Sequence, residues 1–74
     1  MTTQVTVNGS QIAFQHDATL VDVVITTMTR PDGTLRDRGV AVAVNQEVVP
    51  RARWHTTPLR SDDMIEVVTA VQGG

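Results

Sequence analysis

Seventy-four residues make one small domain, and a core of this size rarely supplies more than about 3–5 kcal/mol of net stability without a staple. No cysteine is present, which excludes disulfides, thiolate metal sites and thiol nucleophiles. The net charge of −2, with six arginines spread along the chain and only Phe14 and Trp54 as aromatics, offers neither a basic stripe nor a stacking platform for nucleic acid.

The first predicted element is a hairpin. Val5 and Val7 alternate with polar residues, Asn8-Gly9 follows at once, and Ile12 and Phe14 then alternate with Gln11, Ala13 and Gln15. Asn-Gly between two alternating runs signals a type I′ turn, because both of its central residues need positive φ. Strands are therefore expected at 4–8 and 11–16, with Val5, Val7, Ile12 and Phe14 facing inward. A helix at 19–29 follows, opened by a capping box in which Thr19 is the N-cap and Asp22 stands three positions on. Its expected apolar face is Leu20, Val24 and Met28, flanked by Val21 and Ile25, although the β-branched residues of 23–27 oppose helix formation. Arg30-Pro31-Asp32-Gly33 ends the helix, since Pro31 disfavours helical geometry at Arg30 and Asp-Gly is a turn pair.

Val40, Val42 and Val44 alternate with Ala41 and Ala43, and Asn45-Gln46 turns the chain into Glu47-Val48-Val49, giving strands at 40–45 and 47–49. Pro50 stops the ladder. Residues 51–58 read as an irregular or 3₁₀ crossover carrying Trp54, expected to be half-buried, and Leu59 onto the sheet edge. Ser61-Asp62-Asp63 is a turn of surface charges, and 64–71 is a last long strand with Ile65 and Val67 inward and Glu66, Val68 and Ala70 outward. The order ββαββ with a late crossover strand is an α+β fold, most economically a β-grasp (ubiquitin-like) domain. It has one helix on one face of a mixed sheet of four to five strands. Residues 1–74 form a single domain, with 71–74 expected to be a flexible tail because it ends in two glycines.

The segments Val42-Ala43-Val44-Asn45-Gln46-Glu47-Val48-Val49-Pro50-Arg51, Trp54, Leu59, Asp63-Met64-Ile65-Glu66-Val67-Val68 and Ala70-Val71-Gln72-Gly73-Gly74 together resemble the ThiS family of thiamin-biosynthesis sulfur carriers. Two departures stand out: Asp62, where the family commonly has Gly, which implies local strain, and the long 29–39 loop. The resemblance implies a carrier, not an enzyme. It would bind no cofactor itself, and an E1-like adenylyltransferase of the ThiF type would use ATP to activate the Gly74 carboxylate. A sulfur donor such as a cysteine desulfurase would convert it to a thiocarboxylate, and a ThiG-type thiazole synthase would take the sulfur.

The residue chemistry agrees with that scheme. A terminal carboxylate is ionised at neutral pH and can attack a phosphoryl centre, and Gly73-Gly74 is a strip narrow enough to thread an active-site channel. With no cysteine, sulfur has no side-chain thiol on which to reside; with no lysine, an activated acyl group meets no lysine amine on sister molecules. Ala41, Ala43, Val68 and Ala70 face outward in the expected register and form an apolar patch, with Gln72 beyond it, as the candidate partner surface. Arg51 and Arg53 read as a solvated pair. His16 and His55 are too far apart for any familiar ligand spacing and read as surface residues, so no metal is expected. Met1-Thr2-Thr3-Gln4 lacks a signal region and no apolar run approaches the ~20 residues of a membrane span, so a soluble, cytoplasmic protein is expected. A molybdopterin-type carrier shares fold and tail. A protein modifier forming isopeptide bonds, or a non-catalytic β-grasp binding module with inert glycines, are the alternatives of another class.

Overall fold

The computed structural model describes residues 1–29, 31–33 and 39–69. Five strands and one helix are present in the expected order: β1 (Thr2–Val7), β2 (Ser10–Gln15), α1 (Leu20–Met28), β3 (Val40–Val44), β4 (Glu47–Val49) and β5 (Met64–Thr69), with a 3₁₀ helix at Arg51–Thr56 before β5. They form one sheet in the order β2-β1-β5-β3-β4. β1 and β5 run parallel, and every other pair is antiparallel. This is the β-grasp arrangement.

Both hairpins turn on residues at positive φ. Asn8 (50°) and Gly9 (87°) join β1 to β2; Asn45 (51°) and Gln46 (73°) join β3 to β4, the backbone that a type I′ turn requires. The inner face of the sheet supplies Val5, Val7, Val42, Ile65 and Val67 to the core, and α1 closes it with Leu20, Val23 and Val24. Ile12 and Phe14 pack against that core from the margin.

The helix begins where the capping box places it. The Asp22 carboxylate accepts the Thr19 N–H at 2.8 Å, and the Leu20 N–H, one of the donors a helix start leaves unpaired, reaches the Thr57 carbonyl at 3.0 Å. Its buried face differs from the expectation. Val23 is fully buried, whereas Ile25 is 46% exposed. The reason is Thr27, which the polarity pattern assigns to the outside. At ~100° per residue Thr27 falls between Leu20 and Val23 on the helix surface, so the core-facing stripe runs through it; it is only half-exposed, and its hydroxyl is satisfied there by donating to the Val23 carbonyl at 2.9 Å.

Trp54 is also buried more deeply than expected, at 3% exposure. Its indole N–H donates to the Val49 carbonyl at 2.9 Å, which satisfies the polar edge of the ring inside the core. Leu59 is buried beside it, and the Leu59 N–H bonds the Ala18 carbonyl at 3.1 Å, tying the crossover to the start of α1.

Candidate functional site

β5 carries the chain toward its last residues, and its placement is over-determined. Its parallel pairing with β1 is short: Thr6 faces Met64 and Val7 faces Ile65. Where that ladder stops, Asn8 extends it. The Asn8 N–H donates to the Ile65 carbonyl at 2.9 Å, and the carboxamide then behaves as a further strand residue. It donates to the Val67 carbonyl at 3.1 Å and accepts the Val67 N–H at 2.9 Å.

Asn45 does the same at the other end of β5. Its carboxamide accepts the Met64 N–H at 3.0 Å and donates to the Asp63 carboxylate at 3.1 Å. Its own N–H bonds the Met64 carbonyl at 2.7 Å. Asp63 also accepts the Arg60 N–H at 2.9 Å and is buried, so it is a structural staple and not the surface charge expected from sequence. Asp62 does adopt the left-handed conformation foreseen for it, with φ 69°. Both hairpin turns therefore hold β5 through side chains, and β5 leads to the candidate tail from a fixed base.

The outer face of the sheet is divided. On β1 and β2 it presents Thr2, Gln4, Gln11 and Gln15, with Gln4 donating to Gln11 at 3.1 Å. On β5, β3 and β4 it is mostly apolar. Ala41 lies opposite Val68, and Ala43 lies between Glu66 and Val48. Val68 is 56%, Met64 58% and Val48 72% exposed. Ala41, Ala43 and Val68 are thus brought together as the sequence indicated. Met64 and Val48 extend the patch and went unassigned, though strand alternation from Val68 through Glu66, and from Val49, carries both to this face. Glu66 is the one charge within it. Ala70, Gln72, Gly73 and Gly74, and the expected flexibility of 71–74, lie outside the described residues.

Among the described residues no three His, Asp or Glu side chains gather as a metal ion would require, and no helix is long and apolar enough to cross a membrane. His16, Arg51, Arg53 and His55 are all exposed.

Solved structures share the fold, two of them as follows. The thiamine biosynthesis protein ThiS from Geobacter metallireducens superposes with a TM-score of 0.71 at 20% identity, covering 96% of this chain and 99% of that one. SAMP1 from Haloferax volcanii superposes with a TM-score of 0.55 at 16% identity over the full length of both. Comparison with curated proteins returned no match. The sequence itself matches the ThiS family from residue 3 to residue 74, through β1, the clamped β5 and the final Gly73-Gly74, and the chain belongs to that family of ubiquitin-like sulfur carriers.

Proposed function

We propose that this protein carries sulfur for assembly of the thiamin thiazole as a thiocarboxylate on Gly74. The observation that carries the reading is the family match running to Gly74 in a chain that has no cysteine. An E1-like adenylating enzyme of the ThiF type supplies the catalysis. The Gly74 carboxylate attacks the α-phosphorus of ATP, pyrophosphate leaves, and the acyl-adenylate presents AMP as a good leaving group. The terminal sulfur of a persulfide derived from a cysteine desulfurase then attacks the acyl carbon and displaces AMP, and a second thiol cleaves the resulting acyl disulfide, forming a disulfide with the donor thiol and releasing the Gly74 thiocarboxylate. A ThiG-type thiazole synthase receives the sulfur. The carrier contributes an acyl group and a docking surface and acts as co-substrate in the cytoplasm.

The divided outer face supports the docking half of this reading. Met64 and Val68 lie on the strand that leads to the tail, Ala41 and Ala43 on its neighbour β3, and Val48 on β4 beyond, so a partner seated on Met64 and Val68 is close to the place where 70–74 begin. We assign this patch to the adenylating enzyme and keep Ala70 and Gln72, outside the described residues, as further candidate contacts.

Intact-mass spectrometry tests the chemistry. With ATP, adenylating enzyme and sulfur donor, the protein is expected to gain the mass of one oxygen-to-sulfur exchange, located on Gly74, and a thioacid-specific alkylating reagent should label the C-terminal peptide alone. Deleting Gly74 should abolish the change, and Gly73→Leu should block it by steric exclusion from a channel matched to glycine. Sulfuration of the truncated protein, or sulfur on another residue, would overturn the reading; ladders of conjugates in a pull-down would assign the chain to the modifiers instead.

A further inference from the structure

The two edges of the sheet are protected very differently. β4 is three residues long, begins at Glu47 and is followed by Pro50, the short, charged, proline-ended form that discourages edge-to-edge pairing. β2 has none of these devices. Its six residues, SQIAFQ from Ser10 to Gln15, contain no charge, proline or glycine, and among the described residues the strand has a neighbour on one side alone.

The hairpin fixes which backbone groups of β2 are free. Val7 and Ser10 flank a two-residue turn, so the hydrogen-bonded pairs with β1 fall at Ser10, Ile12 and Phe14. The N–H and C=O groups of Gln11, Ala13 and Gln15 therefore point away from β1. Outside the strand ladder, among the described residues, the bond made on this side is from the Ala18 N–H to the Gln15 carbonyl at 2.9 Å, which leaves that carbonyl a second lone pair. Apolar surface lies along the same margin: Phe14 and the exposed Ile25 of α1 line one open depression together with Ala18 and Thr26.

We propose that β2 pairs with β2 of a second copy of this chain, antiparallel about a two-fold axis at Ala13. In this register Ala13 faces Ala13, Gln11 faces Gln15, and Ile12 faces Phe14. The Ala13 amides bond each other's carbonyls, the Gln15 N–H bonds the Gln11 carbonyl, and the Gln11 N–H shares the Gln15 carbonyl with Ala18. Moving the axis to Ile12 leaves the Gln15 groups without partners. Moving the pairing by a single residue sets Ile12 against a glutamine or alanine of the other face. The occupant is a second copy because the strand is its own complement: glutamine meets glutamine outside, apolar meets apolar inside, and no charges oppose.

One strand pair with its flanking side chains falls short of the ~1,200 Å² typical of stable interfaces, so the dimer is transient, with Kd on the order of 1 mM. Asp17 and Asp22 rim the depression in both copies, so sodium chloride strengthens association by screening them. Pairing at β2 leaves β5, β3 and β4 open, and the inference does not depend on the thiocarboxylate chemistry.

Water-exchange NMR on the unmodified protein tests it. With that Kd, raising the concentration from about 0.05 mM to about 5 mM is expected to slow amide exchange about threefold at Gln11, Ala13 and Gln15, leaving Ile12 and Phe14 unchanged because β1 already protects them. Ala13→Lys, on the exposed outer face, sets two like charges opposite each other at the axis and should restore the dilute rates at Gln11 and Gln15 with the β1–β2 ladder intact. Exchange independent of concentration, protection at residues other than this alternating set, or unaltered association of the Ala13→Lys variant would each overturn the proposal.

Discussion

Asn45 and Gln46 are adjacent in one turn, both at positive φ, yet replacing each by glycine should change stability in opposite directions. Gln46 is exposed, and a left-handed conformation costs such a residue about 1–2 kcal/mol, partly offset in the glycine variant by about 0.5–1 kcal/mol of extra chain entropy lost on folding. Gln46→Gly is expected to stabilise by about 0.5–1 kcal/mol. Asn45→Gly keeps the turn but removes the carboxamide from Met64 and Asp63, and at roughly 1 kcal/mol per bond should cost about 1–2 kcal/mol. Urea denaturation of both variants checks the signs; a stabilised Asn45→Gly would show that the carboxamide does not hold β5. The turn residues themselves were legible, since Asn-Gly and Asp62 announce positive φ locally. Their second role was not. Asn8 grips Val67, 59 positions away, and Asn45 grips Asp63, 18 away, and no local pattern encodes a partner that only the crossover brings alongside.

At the scale of the helix, the start was legible because the capping box is a contact between positions three apart. The buried face was not, because periodicity was judged by polarity. At ~100° per residue Val23 lies about 60° to one side of Leu20, while Ile25 lies about 140° to the other. A hydrophobic count prefers the side with Val21 and Ile25; the fold prefers the side on which Thr27 satisfies its own hydroxyl. Val23→Ala is therefore expected to destabilise by about 2 kcal/mol, whereas Ile25→Ala should stay within about 0.5 kcal/mol. Equal effects in thermal unfolding would mean that the helix is rotated in solution. The crossover admits a similar test. Trp54→Phe keeps most of the apolar volume but removes the indole N–H that donates to the part-buried Val49 carbonyl, so a loss of about 0.5–1.5 kcal/mol is expected.

Across the whole molecule, the inner face of the sheet is what specifies the fold and the outer face is what remains for partners. Alternation made the inner face readable from Val5 to Val67, and it made Ala41, Ala43 and Val68 readable as outward. It could not show that Met64 and Val48 extend their patch or that the other half of the outer face is polar, because that depends on the strand order, with β5 between β1 and β3. That division supplies an internal control. Taking a charge out of water at a contact is costly even beside a counter-charge such as Glu66, so Ala43→Arg, flanked by Val48 and Glu66, and Val68→Glu, opposite Ala41, are both expected to lower kcat/KM for adenylation by the activating enzyme about tenfold or more, which corresponds to about 1.4 kcal/mol. Thr2→Arg adds the same charge as Ala43→Arg on the polar half of the same face, and its kcat/KM should stay within about twofold of the unmodified protein. Opposite signs of charge in the two patch variants separate burial from simple attraction. If the enzyme merely presented an acidic surface, Ala43→Arg would improve adenylation and Val68→Glu would impair it, whereas loss in both, with unchanged unfolding midpoints, places the apolar half against the enzyme. Equal loss in Thr2→Arg would instead make the whole sheet face, or the overall charge, the determinant and remove the patch from the interface.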